Sequence, residues 1–349
     1  MPAVTPHVYC TYFDSGYLTR GLALMESLRA GGDDAEVWIL ALDDATRDYF
    51  EGVALPGVRL LAMSDIEQAE PELPPLKAQR SRMEYIFTST PLVMRWVANQ
   101  QRDPETVVIY LDADLYFFDR PSLVLDALGS GAVGIIEHKY PAAVAGRLAK
   151  YGRFNVGWVG ISCTAEGRAC LDWWAQSTLA WCLDRPEDGK YADQGYLDRF
   201  PQKFEGVVIL PSAGFNLAPW NTRAAVLTAN DGHVIVDGSE PLVFFHFHGL
   251  RRLGERYVSS QFVYGSHLGP VLKNDVYAPY VRALESEERR VAGVLQRPAS
   301  HPRGNGIRGV ASRARKLLVD RLTILTGNAI RISDAEGSTT ASGTPAQRS

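Results

Sequence analysis

Two kinds of hydrophobic pattern alternate along this chain. Short runs are apolar at nearly every position and rich in β-branched residues. Longer stretches carry an apolar stripe at helical spacing. The segment 7–12 (HVYCTY) reads as a first strand, followed by turn chemistry at Phe13-Asp14-Ser15-Gly16. Residues 17–30 carry Leu18, Leu22, Leu24, Met25 and Leu28, a helical stripe. The runs 36–42 (EVWILAL) and 58–62 (VRLLA) read as second and third strands. Such a β-α-β-α-β opening predicts a parallel sheet with right-handed crossovers.

Further on, Pro91 is placed in the first turn of a helix, with Thr88 or Thr90 as its cap. The run 107–111 (VVIYL) then reads as a strand buried on both faces. A helix is expected at 122–128, strands at 132–136 and 152–162, and a Trp-rich helix at 163–183. A helix through Phe200 and a strand at 207–210 come next. A hairpin is expected around Asn230-Asp231-Gly232. The last buried strand is 242–247, on which His246 and His248 alternate with Phe245 and Phe247 and so share a face. From about residue 266 the character changes to a charged amphipathic helix at 277–294. A basic segment with leucines, 307–325, and a small polar run from Asp334, expected to lack structure, follow.

The chemistry sits where the central apolar run stops. Val107 to Leu111 leads directly into Asp112-Ala113-Asp114. Ligands of open α/β sheets collect at the carboxyl ends of strands, and paired carboxylates there call for a metal or a cation. A solvated turn, the nucleophile motif of a haloacid-dehalogenase-type phosphatase and a metal grip on a sugar nucleotide would each place Asp-x-Asp here. A Gly in the strand 152–162 (GRFNVGWVGIS) marks a close approach of backbone to a ligand. The irregular loop 211–221 (PSAGFNLAPWN) has the length and composition of a functional loop.

Composition narrows the field. The chain has 349 residues and a formal net charge of -4, which sets it apart from nucleic-acid binders. Its four cysteines show no Cys-x-x-Cys spacing and read as reduced core residues of a cytosolic protein. No signal-peptide pattern opens it, and no apolar run reaches the length of a membrane span. The first βα turn lacks the dinucleotide fingerprint G-x-G-x-x-G, which disfavours a dehydrogenase.

Four pieces now stand in one order: YLDAD (110–114), FNVG (154–157), DQ (193–194) and HFHG (246–249). This set resembles the GT-A glycosyltransferases. The resemblance is greatest to the family 8-like group that includes glycogenin and bacterial lipopolysaccharide galactosyltransferases, and it covers roughly residues 5–255. It implies an α/β GT-A fold: a mostly parallel mixed sheet with helices on both faces, plus a helical C-terminal extension. The implied organisation is a catalytic domain at 1–265, a helical extension at 266–300, and a basic segment with a polar tail at 301–349. The resemblance also implies roles. Asp112 and Asp114 match the metal-binding pair for Mn²⁺ or Mg²⁺, with Asp112 sharing the metal or touching the ribose. His246 matches the third protein ligand, with His248 in reserve. Arg252 falls near the diphosphate, Asn155 near the transferred sugar, and Asp193 and Gln194 beside the anomeric carbon. Asn216 matches a donor-loop Asn, and Thr11 and Tyr12 match the strand end that receives base and ribose.

Two departures stand out. Arg252-Leu253-Gly254 replaces the family's Lys-Pro-Trp, and the arginine that precedes the Asp pair could be Arg80, Arg82 or Arg95. The expected activity is metal-dependent transfer from a nucleoside-diphosphate sugar, a UDP-sugar first, to a glycan or lipid-linked acceptor with retention. Its setting would be bacterial cell-surface polysaccharide or lipopolysaccharide synthesis. The expected location is the cytoplasm or the inner membrane face, with 307–325 as a peripheral contact. The competing expectations are a phosphatase using Asp112 and Asp114, and a non-catalytic carbohydrate-binding protein.

Overall fold

The computed structural model describes residues 5–292, 294 and 318–337. The opening follows the predicted alternation: β1 (His7–Phe13), α1 (Leu18–Ala30), β2 (Val37–Ala41), α2 (Asp44–Gly52), β3 (Val58–Ala62) and α3 (Met63–Ala69). Helix α4 (Arg82–Gln100) leads to β4 (Val107–Leu111), β5 (Leu115–Phe117), α5 (Ser122–Leu128) and β6 (Val133–Glu137). A short α6 (Leu148–Tyr151), then β7 (Phe154–Ser162), α7 (Ala165–Ala180), α8 (Phe200–Lys203) and β8 (Val207–Ile209) complete the sheet.

Seven strands form one sheet in the order β3-β2-β1-β4-β7-β6-β8. β1 pairs in parallel with both β2 and β4, whereas β7 runs antiparallel between β4 and β6. The architecture is thus the α/β one expected, with a mixed, mostly parallel sheet. Alternation along each strand sorts its side chains to two faces. Val8, Cys10, Val108 and Tyr110 join residues of α4 and α7 in one apolar cluster. Tyr9, Thr11 and Phe13 take the other face, where the Phe13 ring lies against Gly21 of α1. All five residues of β4 are buried, as its unbroken apolar run requires.

Helix α4 starts earlier than expected. Ser81 caps it, its hydroxyl accepting from the Glu84 amide while the Ser81 amide donates to the Glu84 carboxylate, and Pro91 lies in its interior. The hydroxyls of Thr88 and Ser89 turn back to carbonyls of their own helix. The expected helix through Phe200 is a 3-10 stretch, Gln194–Arg199, followed by α8.

The chain divides into two units. One runs to Leu217 and takes in Leu242–His246. The other comprises Ala218–Pro241 and the chain from Phe247. The second unit holds the expected hairpin, β9 (Leu227–Asn230) and β10 (His233–Val236), joined by Asp231 and Gly232 in left-handed conformation. β11 (Glu240–Pro241) adds to it. The last apolar run yields β12 (Phe244–His246), in the first unit, where it pairs with β5. Beyond it, the second unit contains β13 (Arg251–Leu253), β14 (Arg256–Val258), α9 (Ala278–Ala292), a helix at 318–325 and β15 (Ala329–Arg331). The polar run from Asp334 was expected to lack structure. Its first residues instead belong to a helix, Ile332–Gly337, and the rest lies outside the described residues. Of the basic segment 307–325, residues 307–317 also lie outside them. Among the described residues, no helix is long and apolar enough to cross a membrane.

Candidate active site

The site is assembled by two pairings at the end of β4. The Asp112 amide donates to the Gly157 carbonyl at 2.9 Å, which extends the β4–β7 ladder to the first carboxylate. The chain then turns, with the Leu115 amide on the Asp112 carbonyl, and enters β5. β5 pairs antiparallel with β12, placing His246 opposite Leu115. An imidazole far away in sequence is therefore delivered beside Asp114. Its Nε2 lies 3.1 Å from Asp114 Oδ1 and 3.6 Å from Asp112 Oδ2.

Asp112, Asp114 and His246 each offer one ligand atom, all within 4.8 Å of one another. His248, the alternative ligand, is exposed in the second unit, near the rings of Trp220 and Tyr264. Strand β12 ends at His246, so the two histidines do not share a strand face. Two carboxylates and one imidazole are a donor set for a divalent cation such as Mg²⁺ or Mn²⁺. The three side chains fit such an ion.

Burial pushes the Asp112 carboxyl up, and the charge of Asp114 adds to this against the opposing effects of His246 and of the Tyr110 hydroxyl. Burial depresses the His246 imidazole, but the charge and hydrogen bond of Asp114, with the charge of Asp112, outweigh it and raise its pKa. The two crowded carboxylates thus favour the charged form of the imidazole.

Beside the cluster lies a chain of amides. The Gly157 amide donates to Asn155 Oδ1 at 3.1 Å, and Asn216 Nδ2 donates to the same oxygen at 3.0 Å. Asn155 Nδ2 must then point the other way, to Gln194 Oε1 at 3.1 Å, and Gln194 Nε2 donates to the Tyr151 carbonyl at 2.6 Å. A single backbone N–H thereby fixes the orientation of each side-chain amide in turn. Asn216 takes a left-handed backbone with φ of 59°, which Asn tolerates better than most residues. Gly157 is required for contact of another kind than expected. A Cβ there would lie 2.6 Å from Asn155 Oδ1 and 2.8 Å from His246 Nδ1, so the close approach is to side chains of the site itself.

Asp193 is buried, and burial raises its carboxyl to about 7, helped by the charge of Asp112 and opposed by the Thr90 hydroxyl and nearby backbone amides. Tyr12 shares a hydrogen bond with Thr90 at 3.0 Å, and Tyr110 donates to Asp112 Oδ1 at 2.9 Å. Thr90 is thus no helix cap, the place the sequence suggests for it, but lies inside α4 with its hydroxyl on Tyr12.

Thr11 alternates with Tyr12 and so faces the α1 side of the sheet, 1% exposed. Arg252 belongs to the second unit, on β13, 3.3 Å from Glu285. Of the three arginines considered, Arg80 donates to the carbonyls of Thr178 and Leu179 at the end of α7. Arg95 pairs with Glu70, and Arg82 pairs with Asp14 at 3.1 Å.

No protein-family model matches this sequence. Among solved structures, the fold is similar to the galactosyltransferase LgtC, determined in complex with donor and acceptor sugar analogues. The TM-score is 0.45 at 15% identity, over 84% of this chain and 97% of that one. The uncharacterized protein YfnD of Bacillus subtilis (strain 168) is 26% identical over 279 residues, 79% of this chain and 88% of that protein. The uncharacterized protein YfnF of the same organism is 30% identical over 251 residues, 70% of this chain and 81% of its own length. The chain belongs to the family of YfnF.

Proposed function

We propose that this protein is a metal-assisted glycosyltransferase that takes a sugar from a nucleoside diphosphate, a UDP-sugar first, to a glycan or lipid-linked acceptor. The observation that carries this reading is the Asp112–Asp114–His246 cluster at the carboxyl end of β4, set in one unit with the Asn155–Gln194–Asp193 group. Breaking a glycosyl–diphosphate bond builds negative charge on the leaving phosphate. A bound Mn²⁺ or Mg²⁺ would neutralise that charge. Asp112, Asp114 and His246 would hold the ion and leave its remaining positions to phosphate oxygens. Asn155 and Gln194, locked by their mutual hydrogen bond, would border the transferred sugar. Asp193 would face its reacting carbon, and the Asp193-Gln194 pair supports transfer with retention. Synthesis of bacterial surface polysaccharide, on the cytoplasmic side of the membrane, is the setting this chemistry suits.

The test is a thermal-shift screen of nucleoside diphosphates and their sugars with and without Mn²⁺, run beside Asp114→Ala. One nucleotide should stabilise the protein only with metal, by about 2.7 kcal/mol at 100 times its Kd, and the variant should lose the effect. Stabilisation that is equal without metal, or equal in the variant, would remove the cluster from the function.

A second element of the reading concerns the membrane. The helix at 318–325 exposes Leu318, Leu322 and Leu325, at 59%, 38% and 82%, in a strongly basic stretch of sequence. That pattern supports peripheral contact with an anionic lipid surface.

A further inference from the structure

The loop that carries Asn216 is stitched to the strand that carries His246. The Gly214 carbonyl accepts from the Val243 amide at 3.0 Å, and the Leu217 carbonyl accepts from the His246 amide at 2.8 Å. Asn216 lies between these two bonds, so β12 sets its place. Its backbone is left-handed, with φ of 59°. Gly would adopt that conformation at no steric cost, so what Asn adds at this position is its side-chain amide. Asn216 is 0% exposed, and its Nδ2 donates to Asn155 Oδ1 at 3.0 Å. It is thus shielded from solvent. Asn155 stands next along the chain of amides, which continues to the partly exposed Gln194.

We propose that Asn216 is a positioning residue for the amides that border the sugar: it registers Asn155 and Gln194 against the strand that bears His246. The mechanism follows from counting hydrogens and lone pairs. An amide oxygen has two lone pairs, and an amide nitrogen two hydrogens. Asn155 Oδ1 accepts from both the Gly157 amide and Asn216. One Nδ2 hydrogen of Asn155 goes to Gln194 Oε1, so Asn155 can offer a sugar only its second hydrogen. Gln194 donates one Nε2 hydrogen to the Tyr151 carbonyl at 2.6 Å. Among the described residues, that leaves Gln194 one lone pair on Oε1 and one hydrogen on Nε2 for a ligand. Without the Asn216 amide, one backbone N–H alone would hold the Asn155 oxygen. That oxygen would regain a lone pair, and the side chain could swing away from Gln194.

The role rests on the transferase reading, in which Asn155 and Gln194 border the transferred sugar while Asp112, Asp114 and His246 hold the ion at the diphosphate. The two halves of a donor then report on different residues. Loss of the Asn216 amide should act on the sugar half and spare the nucleotide half. Asn216→Gly is the informative change, because it removes the side chain and suits the left-handed backbone. A purely structural role would weaken both halves alike or neither.

The test has two arms, both on the full chain. Calorimetry with Mn²⁺ compares a nucleoside diphosphate with its sugar, UDP and UDP-glucose first, in wild type and in Asn216→Gly. The Kd for UDP should be unchanged, and that for UDP-glucose should rise about 10-fold, the scale of one buried hydrogen bond left unmade. Equal losses for the two, or no loss for either, overturn the positioning role. The second arm needs no ligand. Side-chain amide ¹H–¹⁵N NMR follows exchange of the Asn hydrogens with D2O. Those of Asn216 and Asn155 should exchange more slowly than those of exposed Asn230, and Asn155 should lose that protection in Asn216→Gly. Wild-type Asn216 exchanging as fast as Asn230 overturns the chain of amides even if the variant does not fold. Unchanged protection of Asn155 in the variant overturns it too. Should wild type bind no nucleotide or sugar nucleotide while the NMR arm gives the expected result, the transferase reading falls and takes the sugar role with it, and the chain of amides stands.

Discussion

A methyl group at Gly157 would occupy space already taken by Asn155 and His246, at 2.6 Å and 2.8 Å. Its neighbours are buried and held by hydrogen bonds, so they cannot withdraw cheaply. Gly157→Ala should therefore cost about 1–3 kcal/mol of stability by overpacking, read by urea denaturation. The displaced imidazole should also weaken Mn²⁺ binding by roughly 10-fold or more, read by calorimetry. Full retention of Mn²⁺ affinity would exclude His246 as a ligand. The same neighbourhood shows what could be read at this scale. Asp112 and Asp114 were legible because two acids at the end of an unbroken apolar run have no packing explanation. The resemblance put His246 first with His248 in reserve, and the pairing of β12 with β5 sets His246 beside Asp114. Thr11 and Tyr12, named together, take opposite faces of β1 by strand alternation. Thr90 read as a helix cap, because its partner Tyr12 is 78 residues away in sequence.

At the scale of elements, two ties hold the scaffold under the site. Arg80 closes the C-terminal end of α7 by donating to the Thr178 and Leu179 carbonyls at 2.8 Å and 2.6 Å. α7 in turn carries Trp174, which fixes the Asp193 backbone. Charge-assisted bonds to terminal carbonyls are worth more than neutral ones, so Arg80→Ala should lower stability by about 1–3 kcal/mol in chemical denaturation. Arg80→Lys should recover only part, because one ammonium cannot reproduce a planar fork. The second tie is at the start of β1. His7 Nε2 lies 2.9 Å from Asp33 Oδ2, which also accepts from Tyr9 at 2.8 Å. Burial pushes the His7 imidazole down, but the hydrogen bond and charge of Asp33 outweigh it, so its pKa rises above 6.5. Burial likewise pushes Asp33 up, and its bonds to His7, Ala35 and Tyr9 bring it below 3.8. The His7 contribution is complete below its unfolded pKa and fades as pH rises through the folded one. The Asp33 contribution is present above its unfolded pKa and fades as pH falls through the folded one. The Tm difference between wild type and His7→Gln should thus be largest in mildly acidic buffer and shrink towards pH 9. A difference that is flat with pH would mean the pair acts through packing alone. The strands of this part were legible from apolar runs. The start of α4 was not, because Pro91 suggests a first turn, and only the Ser81–Glu84 box upstream shows that the helix is already under way.

For the molecule as a whole, the uneven placement of charge carries the remaining prediction. The chain is acidic overall, at -4, yet residues 301–331 hold six arginines and Lys316 against one acid, Asp320. That acid does not face solvent. It is buried and paired with Arg251 at 2.5 Å. The described part of the segment turns three leucines outward at positions 318, 322 and 325, spacing that keeps them on one side of a helix. Each basic residue near an anionic bilayer contributes about 1 kcal/mol, and the leucines add their buried area. The protein should float with vesicles containing phosphatidylglycerol, fail to float with neutral phosphatidylcholine, and release in high salt. Changing the three leucines to serine should abolish flotation without lowering Tm, since all three already meet water. If the triple variant floats as wild type does, the leucines are not the contact. If wild type instead forms a dimer that the variant loses, a second copy covers this face and the lipid reading falls.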